Sequence, residues 1–146
     1  MGSGSDRPVM EKAGQMLDRF GIESETRVIS AHKTPDEAIA FAEGAAAAGF
    51  GVIIAGAGKA AHLAGVMAAK SLLPVIGVPL SASLNGLDAL LSTVQMPTGI
   101  PVATVAVDGA ANAALLAVAI LAVGDADLTA RLVGYRVALA EETLRG

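Results

Sequence analysis

Cysteine and tryptophan are absent from this 146-residue chain, and its aromatics amount to one tyrosine and three phenylalanines. With no cysteine, disulfides and thiolate chemistry are excluded, while the compartment stays open. With so few aromatics, the core has to come from alanine, valine, leucine and isoleucine. The length suits one domain, residues 1–146, with one sizeable core. A basic block is also missing. Lysine and arginine total 10 against 14 aspartates and glutamates, a net charge of −4, which argues against nucleic acid or another polyanionic partner. The longest apolar run, Ala113 to Val123, falls far short of the roughly 20 residues a bilayer span requires, so no membrane partner is expected. The opening residues Met1-Gly2-Ser3-Gly4-Ser5-Asp6 carry neither the charged nor the apolar region of a signal peptide. The expectation is a cytoplasmic globular protein.

What is present is alternation of short β-rich runs with helical stretches. Arg7–Phe20 reads as a helix with Met10, Ala13, Leu17 and Phe20 on one face. Strands are expected at Thr26–Ser30, Gly51–Ala55, Pro74–Val78 and Pro101–Val107. Helices are expected at Pro35–Ala48, from about Lys59 to Leu72, near Leu87–Val94, at Ala110–Val123 and at Leu128–Leu144. Strands separated by helices imply an α/β fold in three α/β/α layers, with a parallel sheet and an extra C-terminal helix.

Between Ala110 and Val123 only Asn112 is polar. A helix apolar all round is covered on every side, yet the outer side of a helix in a small three-layer domain is normally wet. A second subunit is therefore favoured as the cover over a helix tucked centrally within its own chain. The expectation is a homo-oligomer, with Leu116 or Leu121 facing the partner and the C-terminal helix, about residues 127–145, packed on a neighbouring subunit.

Open α/β sheets bind ligands beyond the carboxyl ends of their strands, and three loops at such positions are unusual. Gly2-Ser3-Gly4-Ser5-Asp6 opens a helix with Pro8 in its first turn. Small residues, hydroxyls and a helix N-terminus suit a phosphate, although the same residues also make an ordinary helix cap. In Ser30-Ala31-His32-Lys33-Thr34-Pro35-Asp36-Glu37, Thr34 and Glu37 have the spacing of a capping box and Pro35 fits the first helical position. His32 and Lys33 then stand just before the positive end of a helix dipole. That place suits a general base and a phosphate-binding cation, or merely a surface histidine. In Ala55-Gly56-Ala57-Gly58-Lys59-Ala60-Ala61-His62-Leu63, Gly-x-Gly after a buried strand exposes N–H groups to a carboxylate or phosphate. The loop is neither a dinucleotide fingerprint nor a P-loop, and His62 is either a second polar contact or a satisfied histidine in the first turn. These are the only two histidines. No third ligand recurs at metal spacing, so no metal site is expected, and no serine has triad companions for acyl transfer. What remains is a site for a phosphorylated anion with a poised imidazole.

Several ordered motifs together are more specific than any one. Met1–Asp6, Ser30–Pro35, Ile54–Gly58 with Ala60–Leu63, Pro74–Pro79, Leu90–Pro97, Pro101–Ala106 and Asn112–Ala117 resemble the small-subunit family of aminoimidazole ribonucleotide carboxylation enzymes. Within it they are most similar to the class I N5-carboxyaminoimidazole ribonucleotide mutases. The likeness implies a flavodoxin-like sheet, a homo-octamer with sites shared between subunits, and an isomerase of purine (IMP) biosynthesis that needs no metal or cofactor. It implies that Ser5, Ser30 and Lys33 hold the ribonucleotide phosphate and Asp6 the ribose. Ser3, His32, His62 and the Gly56, Ala57 and Gly58 backbone would surround the migrating carboxyl group and Leu63 would also bind substrate, with His32 as the one acid/base in decarboxylation and recarboxylation. The chain departs from many members in having Lys33 for arginine, Lys59 for glycine and Ala64 for proline. Lysine keeps the charge of arginine but not its bidentate fork.

Direct aminoimidazole ribonucleotide carboxylases, which use free carbon dioxide, share the implied fold. Animal-type members replace the loop that carries His62 and Leu63. A relative acting on the nucleotide of a pyridinium-dicarboxylate cofactor is a second enzyme reading, and a non-catalytic nucleotide-binding subunit a third, against which an intact Ser30-Ala31-His32 argues. The resemblance also implies a short apolar strand directly before Met-Gly-Ser. The expectation is that Met1 corresponds to an internal methionine, preceded by some five to ten Val/Ile-rich residues.

Overall fold

The computed structural model describes residues 1–146. In chain order they form α1 (Arg7–Arg19), α2 (Pro35–Gly44), β1 (Ile53–Gly58), α3 (Leu63–Lys70), β2 (Val75–Leu80), α4 (Leu87–Val94), β3 (Ala103–Thr104), α5 (Ala110–Ala122) and α6 (Ala126–Arg145). The three strands make one parallel sheet in the order β1-β2-β3, with Ile53 to Gly58 opposite Val75 to Leu80. Side chains alternate across a strand, so β2 feeds two cores. Ile76, Val78 and Leu80 pack with buried residues of α1 and α5 on one face. Val75 packs with Ile53, Ala55, α2 and α3 on the other. These are the expected three layers.

The expected strand Thr26–Ser30 joins no ladder of the sheet. Its one partner is Met1, whose amine donates to the Arg27 carbonyl at 2.8 Å and whose carbonyl accepts from Ile29 N–H at 2.9 Å. That is the bonding of a parallel pair. Gly2 N–H donates to the Gly56 carbonyl at 3.0 Å, so Met1–Gly2 lies between this segment and β1. The resulting order is the 2-1-3-4-5 order of a flavodoxin-like sheet, with the inner position held by two residues only. Beside Met1 that position continues as a cavity of about 380 Å³ lined by Met10, Leu17, Ile22, Ile29 and Ile54 among others. Burial there pushes the Met1 ammonium below its ordinary value, with Asp6 opposing.

Other boundaries shift for local reasons. β3 is two residues long where seven were expected; Pro101 has no N–H to donate, and beyond Thr104 only Val105 and Asp108 N–H reach β2 carbonyls. α3 starts at Leu63 because Lys59 has φ +57°, which a right-handed helix excludes. The alanine run after Gly44 forms turns.

The cover expected for the apolar helix comes from its own chain. Asn112 is the only exposed residue of α5, which packs against α1, the sheet, and Leu128, Leu132 and Tyr135 of α6. Leu121 lines the cavity beside β1 and Leu116 is half-buried, so α5 supplies no argument for a partner. Unpartnered apolar surface lies instead on α4, where Leu87, Leu91 and Val94 are about half exposed, and on α6 at Val133, Val137, Leu139 and Leu144. No helix is long and apolar enough to cross a membrane.

Candidate active site

The first loop closes on itself through a capping box. Ser3 Oγ accepts from Ser5 N–H at 3.3 Å, while Ser3 N–H donates to Asp6 Oδ2 at 2.9 Å. The Ser5 hydroxyl donates to Ser3 Oγ at 2.9 Å. These bonds set a turn, Gly4–Asp6, that runs directly into α1 with Pro8 in its first turn. The free N–H groups and dipole of a helix start favour an anion there.

In the second loop the expected capping box does not form. Thr34 makes no side-chain cap to α2. Its hydroxyl turns back instead, accepting from Ser30 N–H at 2.9 Å and donating to the Ser30 carbonyl at 3.1 Å. Ser30 Oγ accepts from His32 N–H at 3.3 Å and Lys33 N–H at 3.1 Å. The loop is thus a set of local side-chain-to-backbone turns, and they project His32 and Lys33 ahead of α2.

The third loop brings the second histidine to the first. Buried Ala61 and Leu63 anchor it, and His62 sits at the N-cap of α3 without capping it. His32 Nε2 lies 2.8 Å from His62 Nδ1, the rings meeting edge to face with centroids 4.9 Å apart. One nitrogen of this pair donates and the other accepts, so the two rings orient each other. No group of three or more His, Cys, Asp or Glu residues stands together as a metal site.

The three loops enclose a cavity of about 390 Å³. Ser3, Ser5, Asp6, Ser30, His32, Lys33, Ala57, Gly58, His62 and Leu63, all singled out from the sequence, line it. Gly56 does not. It faces α1, where a Cβ would come 2.3 Å from Met10 Sδ, so its glycine serves helix–sheet packing. Lys59 and Ala82 line the cavity as well. Ala82 follows β2, and a Cβ on Gly58 would come 2.6 Å from its own; no motif around Ala82 marks it in the sequence. Neither Lys33 nor Lys59 is ion-paired.

The AIR carboxylase family matches residues 1–142. Over 137 residues the chain is 56% identical to the N5-carboxyaminoimidazole ribonucleotide mutase of Pyrococcus abyssi, covering 93% of this chain and 79% of that one. It is 53% identical over 146 residues to the chloroplastic phosphoribosylaminoimidazole carboxylase of Vigna aconitifolia, covering 99% of this chain and 26% of that one. The crystal structure of Treponema denticola PurE is similar with a TM-score of 0.90 at 32% identity, over 99% of this chain and 91% of that one.

Proposed function

The chain belongs to the AIR carboxylase family, and from that membership we propose that it converts N5-carboxyaminoimidazole ribonucleotide to 4-carboxy-5-aminoimidazole ribonucleotide, an isomerisation of purine biosynthesis. The observation that carries the reading is the imidazole pair, 2.8 Å apart, in one cavity with Ser5, Ser30 and Lys33. Lys33, the hydroxyls of Ser5 and Ser30 and the start of α1 take the phosphate, and Asp6 takes the ribose. The third loop, with Ser3, surrounds the carboxyl group. His32 protonates the carbamate nitrogen as the N–C bond breaks, and carbon dioxide is held in the pocket away from water. The ring carbon then attacks carbon dioxide, forming the new C–C bond. The same imidazole removes the ring proton, which restores the proton it gave. Donor and acceptor are one residue, so the balance closes without any other reactant.

Two assays separate this from direct carboxylation of aminoimidazole ribonucleotide. Turnover of the carbamate substrate, with little product from aminoimidazole ribonucleotide plus bicarbonate, is the expected result. The reverse pattern makes the protein a direct carboxylase. Nucleotide binding without either turnover makes it a non-catalytic subunit.

Lys33→Ala should mainly weaken substrate binding, raising KM more than it lowers kcat, and added salt should weaken the wild type in the same sense. A phosphate bound away from Ser5 and Ser30, with KM unchanged in the variant, overturns the assignment.

We also place the protein in the cytoplasm as a homo-octamer. The assembly is supported by the stripe of Leu87, Leu91 and Val94 along α4 and by the exposed apolar residues of α6, since contiguous apolar surface marks contact sites. Light scattering at micromolar concentration should give an eightfold mass. Leu91→Asp or Val137→Asp should lower the mass while the chain still melts cooperatively. A monomeric wild type at that concentration defeats the proposal.

A further inference from the structure

Lys59 occupies a place that disfavours lysine. Its φ of +57° lies in the left-handed region that glycine takes freely and L side chains rarely adopt. The kink is imposed from both sides. Before it, Gly58 is pinned against Ala82, with only 2.6 Å between a Cβ there and that of Ala82. After it, Ala61 and Leu63 are buried and α3 begins. Glycine would meet this backbone without strain, yet the position carries a long cation.

That cation is exposed, lines the catalytic cavity and has no ion-pair partner. The only carboxylate lining the cavity is that of Asp6, and it is held by Ser3 N–H at 2.9 Å. The cavity wall therefore includes two lysines without ion-pair partners, Lys33 and Lys59. On the mutase reading, on which this inference rests, the ligand offers two anions, a phosphate and a carboxylate. Lys33 shares its loop with Ser30, on the phosphate side. Lys59 shares its loop with Gly58 and His62, on the carboxyl side.

We propose that Lys59 is a specificity-determining residue, its ammonium pairing with the carboxylate of the carbamate in the substrate and of the ring carboxyl in the product. Backbone strain at residue 59 is then retained for selective binding of carboxylated nucleotides.

Calorimetric titration tests this with two nucleotides, aminoimidazole ribonucleotide and its 4-carboxy derivative, against wild type, Lys59→Gly and Lys59→Met. Both variants should bind the carboxylated nucleotide about tenfold more weakly, the scale of one charge-assisted contact, and the uncarboxylated one as the wild type does. Lys59→Gly should also melt about 3 °C higher as the strain is relieved, whereas Lys59→Met, which keeps a side chain at positive φ, should not. Equal weakening of both nucleotides puts Lys59 at the phosphate and overturns the proposal. Unchanged affinities put it in bulk water and overturn it too. A wild type that binds neither nucleotide overturns the mutase reading and this inference together, so the two failures are told apart by the wild-type titration alone.

Discussion

His32→Asn is expected to lower turnover by at least about a hundredfold, the lower range for loss of an acid/base group, while nucleotide binding stays close to that of the wild type. Asparagine keeps a polar group beside His62 but cannot carry a proton from one step to the next. The effect should fall on kcat, because the phosphate contacts proposed for Ser5, Ser30 and Lys33 are left in place. His62→Asn should cost less, since His62 orients the neighbouring ring at 2.8 Å and in this mechanism transfers no proton itself. Steady-state assays with the carbamate substrate, with binding measured separately, decide the matter. Near-normal turnover of His32→Asn removes His32 from the acid/base role. A larger loss in His62→Asn than in His32→Asn exchanges the two assignments.

The site was legible in the sequence where its chemistry is local. Gly/Ser turns, a proline at the first position of α2 and a Gly-x-Gly that forms the end of β1 are set by neighbours along the chain. Ten of the eleven residues chosen on those grounds and on family resemblance line one cavity. The misread details depend on contacts that are distant in sequence or on rivals for the same hydrogen bond. Thr34 has the spacing for a cap, but the Ser30 backbone competes for its hydroxyl and wins. Gly56 reads as a ligand-binding glycine, while the reason for it is Met10 on α1, which no local pattern reveals. The approach of His32 to His62 spans 30 residues and is a product of the fold.

The same distinction explains α5 and the segment before Ser30. Periodicity identifies α5 as apolar all round, but whether its cover is a partner or its own chain depends on where α6 folds. Leu128, Leu132 and Tyr135 return over α5. Thr26–Ser30 reads as a strand, but a strand is defined by its partner, and here that partner is the main chain of Met1 alone.

Filling the cavity beside Met1 is expected to produce the largest gain in stability. About six Val/Ile-rich residues added before Met1 would run between the Thr26–Ile29 segment and β1, in the direction Met1 and Gly2 already take. Apart from the Gly2–Gly56 bond, β1 is laddered with β2 alone, so the added backbone meets free partners on its inner side. Its side chains meet Met10, Leu17, Ile22 and Ile54. Each apolar side chain buried contributes about 1.5–3 kcal/mol and each backbone hydrogen bond about 1 kcal/mol. Ordering costs roughly 1.5 kcal/mol per residue. A net gain of at least about 3 kcal/mol, against a typical total of roughly 5–15, should raise Tm by about 10 °C at ~2–4 °C per kcal/mol. A control extension of equal length, rich in Ser and Lys, should give no such rise. Because Met1–Gly2 leads directly into the Ser3–Asp6 turn, the apolar extension should also tighten nucleotide binding. Thermal and urea unfolding of the two extended chains beside the original decides it. Equal Tm values for the apolar and polar extensions would show that the cavity takes no strand, and the first loop would then owe its position to the Gly2–Gly56 and Ser3–Asp6 bonds alone.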